Sequence, residues 1–350
     1  MPKTYKFGIV GCGLIGDFHA KAVRSLPNAE LVACYDVRRE SVKRMSEAMG
    51  CKGYTSLARF LKHPGLEVVN VCTPSGAHAK AAVPAAAAGK HVVVEKPIDV
   101  TLRKVDKVIE AVREAGVKLC AIFPSRFSEA NILLKRAVDA GRFGRLTLGD
   151  AYVKWWRSQE YYDTGGWKGT KKLDGGGALM NQSIHAVDTL LWIMGPARSV
   201  QAQCATLAHE RIDVEDTAVA AVEFASGALG TIVGASSAWP GTHKRIEISG
   251  DRGTAVVDEE DITRWEFADA LPEDAEIKAR FEAKRSGIGA VADPADITFK
   301  NHALQIADFL EAVETDREPA VNGPEGRKAV ELILAIYKSA AKGRRVTLPL

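Results

Sequence analysis

Phe7-Gly8-Ile9-Val10-Gly11-Cys12-Gly13-Leu14-Ile15-Gly16 carries an apolar run straight into a G-x-G-x-x-G loop, and Asp36 closes the next apolar run, Leu31 to Tyr35. Strand, glycine loop, helix and acid in this order are what a Rossmann βαβ unit requires. Gly11 permits the tight turn out of the strand, and Gly13 lets the backbone approach a pyrophosphate. Gly16 lets the helix pack closely on the sheet. Leu14 and Ile15 complete the loop at the helix N-terminus, where negative charge is received. Asp36 stands where a carboxylate accepts hydrogen bonds from the adenine ribose hydroxyls. A bare glycine loop is weak evidence, but the flanking strand, helix and acid make it specific. The stretch predicts a nicotinamide dinucleotide. Asp36 repels a 2′-phosphate and favours NAD, whereas Arg38 and Arg39 just beyond it leave NADP open.

The rest of the composition fits a soluble enzyme. A chain of 350 residues, 46% hydrophobic, suggests about two domains with a substantial core. The net charge of +3 is small and spread out, and no Lys/Arg run with interleaved aromatics points to nucleic acid. The chain enters a strand directly without a signal-peptide pattern, so a cytoplasmic location is expected. The longest apolar stretch, around Ala79 to Ala88, is Ala-rich, short and bounded by Lys, which argues against a membrane span. Cys12, Cys34, Cys51, Cys72, Cys120 and Cys204 are scattered, mostly in strand-like runs, with no C-x-x-C. They read as reduced core thiols, and neither a disulfide nor a metal site is expected.

Periodicity changes near residue 124. Before it, short apolar strands (Phe7–Val10, Leu31–Tyr35, Val68–Cys72, His91–Glu95, Lys118–Phe123) alternate with helical patterns. That alternation predicts a doubly wound parallel sheet over residues 1–124. After residue 145 come longer runs: Leu146–Trp156, Val200–Ala208, Thr217–Phe224, Ala228–Ser236, Arg245–Ser249 and Thr254–Val257. The turns Ser226-Gly227 and Gly250-Asp251-Arg252-Gly253 suit hairpins. Residues 125–350 therefore read as a second domain on a large, open, mainly antiparallel sheet with few covering helices. One face of such a sheet is left for another subunit. Gln305–Val313 and Gly326–Ala341 read as helices, and the charged stretch from Asp258 to Lys300 reads as a lid or an irregular excursion.

Further motifs carry chemistry. Val92-Val93-Val94-Glu95-Lys96-Pro97 ends a parallel strand on a lysine at the sheet's carboxyl edge, where ligands bind in this architecture. Alone, Lys96 would read as a solvated loop lysine. Downstream, Gly175-Gly176-Gly177 precedes Ala178-Leu179-Met180-Asn181-Gln182-Ser183-Ile184-His185, a helix pattern with Asn181 and His185 four residues apart on one face. A lone helical histidine is more often a core residue than a catalyst. One turn from an amide, after glycines that allow close approach, it is better placed.

These motifs, with Thr73-Pro74-Ser75, His78 and Gly89-Lys90-His91, resemble the Gfo/Idh/MocA oxidoreductases along essentially the whole chain, including the ending Arg344-Arg345-Val346-Thr347-Leu348-Pro349. The resemblance implies a Rossmann domain, an α/β substrate-binding and oligomerisation domain over 125–350 built on the open antiparallel sheet, assembly as dimers or tetramers, and hydride transfer at a carbon of a sugar, inositol or nucleotide-sugar. By position it implies that Lys96 and His185 are catalytic. Asn181 departs from the aspartate of many members, and an amide cannot relay a proton. The pattern around Tyr161-Tyr162 and Gly166-Trp167-Lys168-Gly169 looks like the branch that includes nucleotide-sugar 3-dehydrogenases, although relatives often read Trp-Arg at Trp167-Lys168. Thr73, Pro74, His78, Glu95, Lys96 and Trp167 join the candidate cofactor-binding set.

Elementary chemistry agrees. Oxidising a secondary alcohol needs a base within hydrogen-bond reach of its oxygen. Histidine titrates near neutrality, and lysine is brought down by desolvation or nearby positive charge. Lys96 and His185 are expected to share the substrate hydroxyl, with Asn181 orienting the substrate. Arg126, Trp156, Arg157 and Lys168 are the remaining substrate-binding candidates. Asp188 reads as a partner of His185 or a solvated acid, and His302 as structural or, less favoured, touching substrate. Two other classes remain open: a glycoside hydrolase that uses NAD transiently, and a non-enzymatic dinucleotide sensor, which the presence of Lys96 and His185 disfavours.

Overall fold

Residues 3–284 and 299–350 are described in the structure, a computed structural model. Backbone contacts divide the chain into two compact units: Met1–Pro124 with Ile297–Arg327, and Ser125–Asp296 with Lys328–Leu350.

The first unit runs β1 (Tyr5–Val10), α1 (Leu14–Arg24), β2 (Ala29–Tyr35), α2 (Arg39–Met49), β3 (Lys52–Tyr54), α3 (Leu57–Leu61), β4 (Val68–Val71), α4 (His78–Ala87), β5 (His91–Val94), α5 (Leu102–Ala115) and β6 (Leu119–Ala121). Its strands pair in parallel in the order β3-β2-β1-β4-β5-β6, the doubly wound arrangement that opens a ligand crevice at the carboxyl ends of β1 and β4. The valine runs of β4 and β5 are buried throughout, as a sheet covered on both faces demands. Among the described strands of this unit, only the short β3, Lys52-Gly53-Tyr54, was not legible, because it contains no apolar run.

The second unit holds α6 (Glu129–Asp139), β7 (Leu146–Lys154), α7 (Gln159–Asp163), α8 (Ile184–Met194), β8 (Ala197–Ala205), β9 (Thr217–Phe224), β10 (Leu229–Ala235), β11 (Arg245–Gly250), β12 (Gly253–Asp258), β13 (Asp261–Phe267) and α9 (Pro272–Lys284). With β14 (Val346–Thr347) these strands form an eight-stranded sheet, β13-β12-β11-β7-β10-β9-β8-β14, antiparallel except where β7 meets β10. α8 packs on β7 and β11. Gly149 faces Met194 of that helix, so its neighbour Leu148 points to the other side of the sheet. There Leu148, Val219 and Leu229 are exposed by 42%, 51% and 58%.

Two expectations need correction. The second domain is not the continuous stretch 125–350. In α10 (Lys300–Glu314), Ile306, Phe309 and Leu310 join the core of Phe7, Ile9 and Val93 in the first unit. Gln305 seals the junction, its Oε1 accepting from Phe123 N–H at 3.0 Å and its Nε2 donating to the Ala121 carbonyl at 2.8 Å. Periodicity located this helix but not its partner. The last helix, α11 (Gly323–Lys342), matches expectation with slightly wider bounds. The segment after Asp258 is not irregular where it is described: β13 extends the sheet and α9 follows it, while 285–298 lie outside the described residues. No described helix is long and apolar enough to cross a membrane.

Candidate active site

The glycine loop divides its labour as its chemistry requires. Gly11 has φ 101°, and a Cβ there would stand 2.5 Å from the Cys72 carbonyl oxygen. A Cβ on Gly16 would overlap the Gly11 carbonyl, so this glycine permits the close seating of α1. A Cβ on Gly13 would meet none of the described atoms within 4 Å. The loop is therefore open where a pyrophosphate would approach the helix N-terminus, and these residues fit NAD. Leu14 and Ile15 are exposed beside it. Asp36 Oδ2 accepts from Cys12 N–H and Oδ1 from Arg38 N–H, both at 2.9 Å, which ties the end of β2 to the loop. Arg38 Nε lies 3.6 Å from the same Oδ1. Arg44 of α2 clamps the loop from outside, donating to the Cys12 carbonyl at 2.6 Å and to Asp17 at 2.8 Å. Nothing in the spacing of Arg44 announced this.

At the end of β4, Thr73 Oγ1 is enclosed and has no hydrogen-bond partner among the described residues, and Pro74 caps a short turn. His78 is reassigned. Its Nδ1 sits 2.7 Å from the Pro97 carbonyl and its Nε2 2.7 Å from the Thr73 carbonyl, so the ring braces two loops instead of offering a nitrogen to the dinucleotide. Burial pushes its pKa down, and the two carbonyls oppose that only in part.

Glu95, expected to touch the nicotinamide ribose, is engaged inside the unit. Its Oε2 accepts from Lys96 N–H at 3.0 Å, and its Oε1 lies 3.0 Å from His19 Nε2 and 3.6 Å from His302 Nε2. Nitrogen and oxygen atoms of His19, Glu95 and His302 fall within 4.8 Å of one another, a grouping invisible in the sequence.

In the second unit the glycine run owes its existence to crowding. A Cβ on Gly176 would collide with Tyr337 Oη, and one on Gly177 with the Glu215 carbonyl. The Glu215 carboxylate accepts from Gly177 N–H at 3.1 Å, Leu179 N–H at 2.8 Å and Tyr337 O–H at 2.8 Å. It anchors the start of the helical segment. Ala178–Ser183 forms a wider π-helical turn, so Asn181 precedes the α-helix that carries His185 instead of sharing it. Asn181 Nδ2 donates to Asp174 Oδ1 at 2.6 Å, while the buried Asp174 also accepts from Gly169 N–H at 2.8 Å. The amide is thus held with its orientation fixed.

Nearby, Gln182 donates to Tyr161 Oη at 3.0 Å, and Lys168 Nζ lies 3.8 Å from the Tyr161 ring centre. The Arg157 guanidinium lies 5.5 Å from that ring and 5.2 Å from Trp155. Burial pushes the Lys168 amine down, Asp174 pulls it up, and Arg157 adds to the lowering. His209 fixes Arg157 from behind, its ring nitrogens 2.9 Å from the Arg157 carbonyl and from Asp216. Trp156 pairs edge-on with Trp239 at 5.2 Å on the surface, and it is Trp155 that accompanies Arg157. Trp167 lies in the second unit, its carbonyl accepting from Thr170. Arg126 is also corrected, because its guanidinium is committed to the buried Asp188.

Comparison with known proteins agrees with this architecture. Residues 5–123 match the model of an oxidoreductase family with an NAD-binding Rossmann fold, and residues 132–256 match the GFO/IDH/MocA C-terminal domain. Myo-inositol 2-dehydrogenase of Thermotoga maritima is 30% identical, covering 98% of this chain and 98% of the relative. The WlbA dehydrogenase of Bordetella pertussis, solved with NADH and UDP-GlcNAcA, is 36% identical with a TM-score of 0.92, covering 100% of this chain and 99% of that one. Its counterpart from Chromobacterium violaceum, also solved with NADH and UDP-GlcNAcA, is 36% identical with a TM-score of 0.90, covering 100% and 97%. The glycine loop and the helical segment that opens at Glu215 thus sit in a chain that belongs, over both its units, to the Gfo/Idh/MocA family of NAD-binding oxidoreductases.

Proposed function

We propose that this oxidoreductase is an NAD-dependent dehydrogenase of a nucleotide-linked sugar, acting on a secondary alcohol of an anionic substrate such as UDP-GlcNAcA. The observation that carries this reading is the placement of two cations, Lys168 and Arg157, around Tyr161 in the unit that also presents Asn181 and His185. An uncharged cyclitol gives these cations nothing to neutralise, whereas a carboxylate or diphosphate does. The full-length similarity to proteins bound to UDP-GlcNAcA supports the same choice.

Bound NAD supplies the hydride acceptor. Lys96 and His185 serve the accompanying proton transfer from the substrate hydroxyl, and Asn181, oriented by Asp174, hydrogen-bonds the substrate. The dinucleotide lies along the glycine loop with its ribose at Asp36. The enzyme works in the cytoplasm as a homodimer or homotetramer through the exposed sheet face that carries Leu148, Val219 and Leu229.

The test is a screen for nicotinamide reduction with UDP-GlcNAcA, UDP-GlcNAc and myo-inositol, each offered with NAD and with NADP. The expected result is a kcat/KM for UDP-GlcNAcA well above the others. Preference for myo-inositol would overturn the substrate class. Tightly held NAD with no net reduction would point to the hydrolase alternative.

A further inference from the structure

The first unit buries a polar chain that neither the fold nor dinucleotide binding explains. It begins at Asn70 on β4, wholly enclosed, whose Nδ2 lies 2.9 Å from His19 Nδ1. His19, also wholly enclosed, sits on α1 three residues past Gly16, and its Nε2 lies 3.0 Å from Glu95 Oε1. The other oxygen of Glu95 accepts the backbone N–H of Lys96 at 3.0 Å. The directions are consistent. If the Asn70 amide donates to Nδ1, the neutral ring carries its proton on Nε2 and donates it to Glu95. Burial favours that neutral ring. Burial alone would raise Glu95, but the facing His19 and His302 outweigh it and hold the carboxyl well below the usual carboxylate range. The chain therefore ends on a carboxylate that accepts the backbone N–H of Lys96.

Such a chain is weak evidence for stability, because a packed apolar cluster of the same volume is commonly as stable. Its use must lie in what it fixes. We propose that His19 and Asn70 are positioning residues for Lys96: they lock the Glu95 carboxylate onto the Lys96 amide and so hold that lysine where the strand ends. This rests on the reading of Lys96 as a proton-transfer group. His19 also links the helix of the glycine loop to the end of β5, so the same contact couples cofactor loop and lysine within one unit.

The titratable groups facing Glu95 are His19 from α1, His302 from α10, and Cys72 and His78 around the end of β4. Losing the His19 donor should raise the Glu95 carboxyl, so that its protonation releases the Lys96 amide at a less acid pH than in the wild type. The experiment compares His19→Leu, which keeps bulk but removes the donor, with His19→Gln, which retains one. It uses UDP-GlcNAcA and NAD, with hydrogen exchange at the Lys96 amide as a readout that needs no turnover.

The expected result for His19→Leu is a kcat lower by about ten- to a hundred-fold, the scale of a misplaced reacting group. NADH affinity should change little, Lys96 amide exchange should be faster, and the acid limb of kcat should move to higher pH. His19→Gln should recover most of each effect. In a Lys96→Met background, His19→Leu should cost little more. An equal cost in both backgrounds, or an unmoved acid limb, would overturn the proposal and leave the role of Lys96 standing. Full activity of Lys96→Met would instead overturn the role of Lys96, and this proposal with it. Should His19→Leu not fold, Asn70→Ala carries the test, since it frees the tautomer of His19 and should shift the same limb in the same direction. Stoichiometric zinc on the purified protein, held by His19, Glu95 and His302, would also overturn the proposal.

Discussion

The Arg126 guanidinium lies bidentate on the Asp188 carboxylate, Nε 2.8 Å from Oδ2 and Nη2 2.7 Å from Oδ1, with side chains only 5% and 1% exposed. Such a pair is committed to the fold, and Trp192 covers the guanidinium at 5.6 Å. Removing one partner strands a buried charge. Arg126→Ala should therefore lower unfolding free energy by about 3–5 kcal/mol, read from urea titration. Arg126→Met with Asp188→Leu should restore most of it. Were Arg126→Ala as stable as the wild type but raised in KM, the arginine would be a substrate ligand after all.

Cofactor choice turns on Asp36. Its carboxylate accepts from Cys12 and Arg38 backbone N–H groups, which fix it at the end of β2, where the proposed reading puts the adenine ribose. The wild type should bind NAD more tightly than NADP. Asp36→Ala should narrow the gap by weakening NAD, because the loop loses its tie, and by relieving repulsion of the 2′-phosphate near Arg38. Titration of both dinucleotides by fluorescence decides this. Tighter binding of NADP by the wild type would reverse the assignment.

Much of this was legible in the chain, for physical reasons. The glycine loop and Asp36 are local signals, and the long β-runs between Leu146 and Val257 fix their own alternation. What was not legible depends on groups far apart in sequence. α10 shows a helical period, but only the three-dimensional core shows that Phe309 shares one apolar cluster with Phe7. Arg126 directly follows the first domain and Trp156 ends a strand run beside Arg157, but the sequence does not show that Asp188 holds the one and Trp239 packs on the other. Glu215 and Tyr337, which close the glycine run, lie in a strand approach and a distant helix with no motif of their own.

Acid stability should report the buried imidazoles. His19 and His78 are held below their ordinary values by burial. Near and below about pH 6.5, the unfolded chain binds protons that the folded chain refuses, so stability rises with pH there and flattens above it. The urea midpoint should fall as pH drops through that window, before most carboxylates titrate. His78→Gln should flatten the slope. A midpoint independent of pH down to about 5 would mean that these rings are charged in the native state.

Assembly should depend on the exposed sheet face. Leu148, Val219 and Leu229 present apolar area that another copy of the same face can cover. Sedimentation at micromolar concentration should show a dimer or tetramer, and Val219→Asp with Leu229→Lys should shift it toward monomer. A wild-type monomer would remove this interface.

The proton path is tested by Lys96→Met, which roughly preserves length while deleting the amine. General acid–base assistance is worth about 10²–10⁴ in rate, so turnover should fall by that factor while NAD binding largely survives. His185→Ala should also lose activity. If both groups serve one proton transfer, as proposed, the double variant should lose far less than the product of the two. Asn181→Asp is the sharpest control, since Asn181 Nδ2 lies 2.6 Å from Asp174 Oδ1. A carboxylate there would face another, so one of the two must hold a proton with a raised pKa. Turnover should persist with a new ionisation in its pH profile if the amide only orients substrate. Complete loss with an unchanged profile would mean that the amide itself is indispensable, and full activity of Lys96→Met would leave His185 or a water carrying the proton alone.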